Sequence, residues 1–339
     1  MTSTNLIVRS FPSAAVIVAA VVMICTGHLV QAQERNPVER AIEAVVRIDA
    51  EVPGDARTAG FLGTQRTGSG VVIDDSGLVL TIGYLVLEAM AVTVTNADGA
   101  PVAAEIIAYD YDTGLGLVRA QQALGRPPIR LGDSAAVVKG DPVLVATEPG
   151  IESAQPGAVV DVRRFTGYWE YLLEDALFVS PPHAAWQGAA LIGAEGELLG
   201  IGSLFAEDAQ RRPKRLPGTM FVPVNALKPI LAELLTEGRS AASNRPWLGI
   251  FTSDHRGYVV VTYVAPDGPA AASGVRRGDV VLEVGGQRIR TMAEFLETVW
   301  SQGLPGVEVP LTLGRQDHVA RVKVISADRY AYMKLDKTF

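Results

Sequence analysis

Through most of the chain, apolar residues fall in short runs broken by Gly, Asp, Asn and Pro, a pattern of strands and tight turns. Thr67-Gly68-Ser69-Gly70-Val71-Val72-Ile73 and Leu78–Thr81 flank Asp74-Asp75-Ser76-Gly77, which predicts a hairpin. Further strands are predicted at Val45–Asp49, Val92–Thr95, Val102–Ala108, Leu115–Arg119, Pro142–Thr147, Val159–Arg164, Ala176–Val179 and Phe221–Pro223. The runs Ala189–Ile192 and Leu198–Ile201, separated by Gly193-Ala194-Glu195-Gly196, predict a second hairpin buried on at least one face. A Pro181-Pro182 loop that cannot be helical leads into it. Short strands at this spacing suggest barrels or a sandwich.

Helical signals are fewer. Asn36-Pro37-Val38-Glu39 starts a helix that runs to Ala44, and Asn225–Leu235 reads as a helix capped by Asn225 and ended by Gly238. Ser240–Pro246 is a polar, small-residue linker and the best domain boundary. Beyond it, strands are predicted at Tyr258–Val264, Val280–Val284, Val309–Leu313 and Ala320–Val324. Met292–Trp300 places Met292, Phe295, Leu296, Val299 and Trp300 on one helical stripe, behind a Thr291/Glu294 capping box.

At 339 residues the chain accommodates two domains, and 48% hydrophobic residues with 34 Gly and 20 Pro mark it as globular and turn-rich. A net charge of −7 without a long basic run argues against a nucleic-acid partner. Residues 1–32 carry one charge, Arg9, an apolar run over Ala14–Cys25 and small residues near Ala32, as in an export signal; an uncleaved membrane anchor is the alternative. Cys25, the only cysteine, lies inside that segment, so the remainder forms no disulfide. No His/Cys/carboxylate cluster has zinc spacing and no phosphate-binding glycine loop follows a strand, so neither metal nor cofactor is expected.

Several short motifs recur together in order: Gly68-Ser69-Gly70-Val71-Val72-Ile73 with Leu80-Thr81; Leu131-Gly132-Asp133-Ser134 before Gly140-Asp141-Pro142-Val143; Gly188 with Leu191; Val222-Pro223; Trp247-Leu248-Gly249-Ile250; and Gly278-Asp279-Val280. In these the chain resembles the HtrA/Deg (DegP-like) family of periplasmic serine proteases. The resemblance implies an all-β-dominated fold, a trypsin-like double β-barrel of two six-stranded barrels followed by one PDZ domain. The expected boundaries are 33–239 for the protease-fold domain, 240–246 for the linker, 247–326 for the PDZ domain and 327–339 for a C-terminal tail.

The departures from the family fall at its chemistry. Carried over residue by residue, the catalytic histidine's place holds Tyr84, the aspartate's holds Gly114 and the nucleophile's holds Gln187. Attack on a peptide carbonyl needs an activated hydroxyl or thiol with a base in reach, and an amide, a phenol of pKa near ~10 and a glycine supply neither. The expectation is therefore a homologue without proteolytic activity. The alternative is an active serine endopeptidase with a relocated set, for which Ser180, His183 and Asp112 are the nearest candidates.

The resemblance leaves peptide binding as the expected work. Backbone N–H groups of Trp247, Leu248, Gly249 and Ile250 would hold a peptide's terminal carboxylate while the next strand pairs with the peptide, with Phe295 and Val299 either lining its pocket or filling the core. Expected partners are unfolded or C-terminal peptides of envelope proteins, with a homotrimer or a hetero-oligomer with an active HtrA-type protease implied by the family. The Asp336-Lys337-Thr338-Phe339 stretch is itself a group that a neighbouring PDZ pocket would accept. The expected location is periplasmic, either free or anchored to the inner membrane.

Overall fold

The computed structural model describes residues 36–167, 171–316 and 318–333. The expected signal or anchor over 1–32 and the stretch Lys337–Phe339 lie outside the described residues. Among the described residues no helix is long and apolar enough to cross a membrane.

Helix α1 (Pro37–Glu43) begins as predicted, with Asn36 Oδ1 accepting from the Val38 N–H at 3.0 Å. Six antiparallel strands follow: β1 (Val45–Glu51), β2 (Gln65–Val72), β3 (Leu78–Ile82), β4 (Ala91–Thr95), β5 (Pro101–Tyr109) and β6 (Leu115–Ala120). They close into a barrel in the order β1-β2-β3-β6-β5-β4. The short helix α2 (Ala59–Leu62) sits in the β1–β2 connection. All five residues of β3 are buried, because it lies between β2 and β6 inside the closed sheet.

The second sheet holds β7 (Arg130–Leu131), β8 (Pro142–Thr147), β9 (Gly150–Gly167), β10 (Tyr171–Ser180), β11 (Ala190–Ile192), β12 (Glu197–Gln210) and β13 (Leu216–Pro223). The β11–β12 pairing closes six of these strands on themselves, with β7 added in parallel along β12. Strands β9, β10 and β12 run well past the predicted apolar runs. Their extensions are partly exposed and carried by ladder pairing, which hydrophobic alternation does not report.

One helix needs correction. Over the predicted Asn225–Leu235, a 3-10 turn (Val224–Ala226) comes first and α3 spans only Leu231–Glu237. Asn225 Nδ2 donates to Asp133 Oδ1 at 2.6 Å instead of Asn225 capping a helix, and Pro229 disfavours α geometry at Lys228. Gly238, at φ +70, ends α3 as expected.

The Ser240–Pro246 stretch lies against the first barrel. Ser240 and Ser243 are buried and both donate to Asp110 Oδ1 at 2.7 Å, so this stretch is pinned to the first barrel. The third sheet runs β14-β15-β16-β18-β19: β14 (Ile250–His255), β15 (Tyr258–Val264), β16 (Val280–Val284), β18 (Glu308–Gly314) and β19 (Val319–Ile325), with β17 (Gln287–Arg288) beside β16. Helices α4 (Pro269–Ala272) and α5 (Met292–Trp300) pack on it, and the Thr291 cap bonds the Glu294 N–H at 3.1 Å. Residues expected to form a tail instead include a helical turn, α6 (Arg329–Tyr332), which returns to the first barrel.

Candidate functional site

The loops at the facing ends of the two barrels enclose a cleft of about 370 Å³. Tyr84 enters it from the 3-10 turn after β3 (Gly83–Leu85), Gly114 from the β5–β6 turn, and Trp186 from the loop before β11. Two of the three positions singled out in the sequence thus line one cleft, and the third, Gln187, adjoins Trp186.

Close backbone contacts hold this arrangement. The Ser69 N–H donates to Gln187 O at 2.8 Å, and Thr81 Oγ1 donates to Ser69 O at 2.7 Å. Gly188 has φ +74, and a Cβ there would lie 1.9 Å from Ser69 O, so only glycine fits where the loop crosses β2. On the other wall the buried Arg66 donates to Tyr84 O and Leu87 O, both at 2.8 Å, and to Thr58 Oγ1 at 2.7 Å. Tyr84 Oη donates to Ser203 O at 2.9 Å, which ties its ring across the cleft. Gly114 sits at φ +76, with its carbonyl accepting from the Gly83 N–H.

The chemistry available at these positions is limited. Tyr84 is a hydrogen-bond donor, Gly114 has no side chain, and Gln187 offers an amide. An oxyanion hole needs N–H groups free to converge on one point. Here the Ala185 N–H is donated to His183 Nδ1 at 3.1 Å, and the Gly188 N–H to Gly202 O at 2.9 Å.

The substitute residues are directed elsewhere. Ser180 Oγ donates to Pro217 O at 2.9 Å. Because His183 Nδ1 accepts from Ala185, the proton sits on Nε2, which donates to Ser153 O at 2.9 Å. Asp112 pairs with Arg245 at 3.5 Å, beside the linker. That distance is too long for a hydrogen bond, so burial dominates and pushes the Asp112 carboxyl up to about 7, with Arg245 opposing it.

In the third sheet, Phe295 and Val299 are 1% and 3% exposed and border a cavity of only about 30 Å³, shared with Trp247, Arg245 and Asp112. This is room for about one water. Helix α5 is tied to β14 by the Met292 N–H donating to Asp254 Oδ1 at 2.8 Å, so the two residues serve the core in this arrangement. Trp247 exchanges two backbone hydrogen bonds with Ala327 and stacks on Tyr332 at 4.3 Å; Leu248 and Ile250 are buried, and Gly249 takes φ +75.

Two cleft residues are not marked by the sequence pattern: Arg329, in the stretch expected to be a tail, and Tyr111, in the β5–β6 turn; both line the cleft. An Asp328 cap ahead of a Tyr-rich turn was the available signal: Asp328 Oδ1 accepts from the Tyr330 N–H at 2.9 Å. Among the described residues no group of three or more His, Cys, Asp or Glu is placed to hold a metal ion.

Residues 68–201 match the trypsin-like peptidase domain and residues 246–325 the PDZ domain. The serine endoprotease DegS of Escherichia coli K12 is 26% identical over 276 residues, covering 76% of this chain and 75% of DegS. A Halomonas elongata protein named "Probable periplasmic serine endoprotease DegP-like" is 27% identical over 278 residues, covering 77% of this chain. The match spans 56% of that relative's length, and about half of the similarly named Pseudomonas putida proteins. Among solved structures, the serine endoprotease from Yersinia pestis aligns with a TM-score of 0.52 at 24% identity, over 86% of this chain and 97% of its own. The HtrA-type protease AlgW with a tripeptide gives 0.51 at 20% identity, over 86% and 96%. These two likenesses carry the fold. The chain thus carries a trypsin-like peptidase domain followed by a PDZ domain, and along most of its length it is similar to serine proteases named DegP-like and DegS.

Proposed function

We propose that this protein is an exported HtrA-type homologue that holds polypeptide without cutting it. It works in the periplasm, where its DegP-like relatives are named as residing. Its role is that of a chaperone-like or scaffolding subunit, in a homotrimer or beside an active relative. The observation that carries the reading is the cleft itself. Tyr84 is bonded to Ser203 O, Gly114 has no side chain, and the Ala185 N–H is used within its own loop, while the family resemblance puts Gln187 where the nucleophile would stand. Removing a whole triad leaves only ~10³–10⁴-fold acceleration, and that remainder depends on an oxyanion hole. PDZ domains bind peptides by strand addition, and a solved relative carries a tripeptide. In this arrangement α5 must move off β14 before a peptide strand can add there.

The test incubates the protein with unfolded casein and a fluorophosphonate probe. The expected result is neither cleavage nor covalent labelling, together with suppressed aggregation of a denatured client. Labelling that is lost in Ser180→Ala would establish the relocated catalytic set instead.

A further inference from the structure

We propose that the former catalytic cleft is a binding site for a carboxylate attached to an apolar body. The proposal rests on the reading that this cleft does not cut.

Two buried donors beside the cleft have no hydrogen-bond partner among the described residues. Arg329 is 7% exposed and lies over the Tyr111 ring at 4.2 Å; its Nε is buried and has no hydrogen-bond partner among the described residues. Tyr111 is 4% exposed, and its Oη is likewise buried without a partner. Both residues line the same cleft. No carboxylate among the described residues lies within ion-pair distance of Arg329. The nearby Asp112 pairs with Arg245 instead, and Asp110 is occupied by Thr113, Ser240 and Ser243. A buried guanidinium without a counter-ion is costly, and so is a buried hydroxyl without an acceptor. An anion in the cleft would supply the Arg329 guanidinium with the counter-ion it lacks.

Shape and chemistry narrow the class. The guanidinium fork matches a carboxylate. The remaining wall is apolar and aromatic, including Leu62, Ile82, Tyr84, Trp186, Leu204 and Phe205, and about 370 Å³ is near the lower end of small-ligand sites. Two sources share this chemistry: the last residue of a peptide and a free fatty or aryl acid.

The experiment is calorimetric titration of the full chain with two matched pairs. N-acetyl-phenylalanine against its amide represents the peptide end, and decanoate against decanol the free acid. In at least one pair the acid should bind about 10-fold or more tightly than its neutral partner, as one charge-assisted contact provides. The pair showing the larger preference identifies the source. Arg329→Gln should abolish the preference. Phe205→Glu, at a 42% exposed cleft position that tolerates change, should abolish binding while the thermal transition is kept. Equal affinity for acid and neutral partner in both pairs would overturn the proposal. So would an acid preference that survives both substitutions, which would place the carboxylate at the PDZ loop. Casein cleavage would instead sink the non-cutting reading, and the two failures are read by different assays.

Discussion

Single residues in the cleft separate two uses of glycine. At Gly188 a side chain has no room, since its Cβ would meet Ser69 O at 1.9 Å and φ is +74. Gly188→Ala should therefore cost about 3 kcal/mol or more, lowering the melting temperature by roughly 6 °C or more for a protein of this size. At Gly114 the nearest atom to a Cβ is Ile82 Cδ1 at 3.9 Å, so the only penalty is φ +76. Gly114→Asp should cost only about 1–2 kcal/mol, and proteolysis assays should detect no gained activity even when it is combined with Tyr84→His and Gln187→Ser. The combined variant still has its Ala185 N–H committed to His183. Arg66→Met tests the other wall. It strips donors from three carbonyls (Gly63, Tyr84 and Leu87) and the Thr58 hydroxyl, and chemical denaturation should register a loss of about 3 kcal/mol.

Among the elements, the segment from Ser240 to Pro246 has the most to explain. Its composition is that of a free linker, yet its two serine hydroxyls converge on the buried Asp110. Next to them, Asp112 faces Arg245, Asp110 and Arg329, and burial raises it to about 7. A carboxyl whose folded value lies above its unfolded one holds an extra proton in the folded state. Its contribution is complete below about pH 4 and is lost as the pH rises through about 7. Thermal unfolding should therefore show wild-type stability falling between about pH 4 and pH 7, with a slope of up to about 1.4 kcal/mol per pH unit, and levelling off above that. Asp112→Asn should flatten that slope. An unchanged profile would mean the Asp112 carboxyl stays hydrated.

At the level of the whole molecule, the third sheet is docked through α6. Tyr330 stacks edge-on against Tyr111 at 4.6 Å and donates to Tyr109 O at 2.7 Å, while Arg57 donates to Tyr332 O at 2.8 Å and lies over its ring. Tyr109, Tyr111, Tyr330 and Met333 form one buried cluster with Leu87. The first two barrels produced alone, as 36–239, should expose Leu87, Tyr109 and Tyr111; dye binding should rise and solubility fall relative to the full chain. Tyr330→Ala should cost about 3–5 kcal/mol in the full chain.

The sequence by itself determined the strand pattern, the order of the domains and which residues stand where the family resemblance implies a triad. Each of these is local: alternation and turn residues report strands, and Tyr84, Gly114 and Gln187 are found by counting from adjacent motifs. Tertiary structure alone decided what the cleft became. Arg329 reaches Tyr111 from the far end of the chain, and Arg57 meets Tyr332 across a separation of 275 residues. The pinned linker, the space closed beside Phe295 and the two unsatisfied donors all arise from which surfaces are pressed together. Burial of that kind sets the free energy of a charge or hydroxyl, and local pattern carries no record of it.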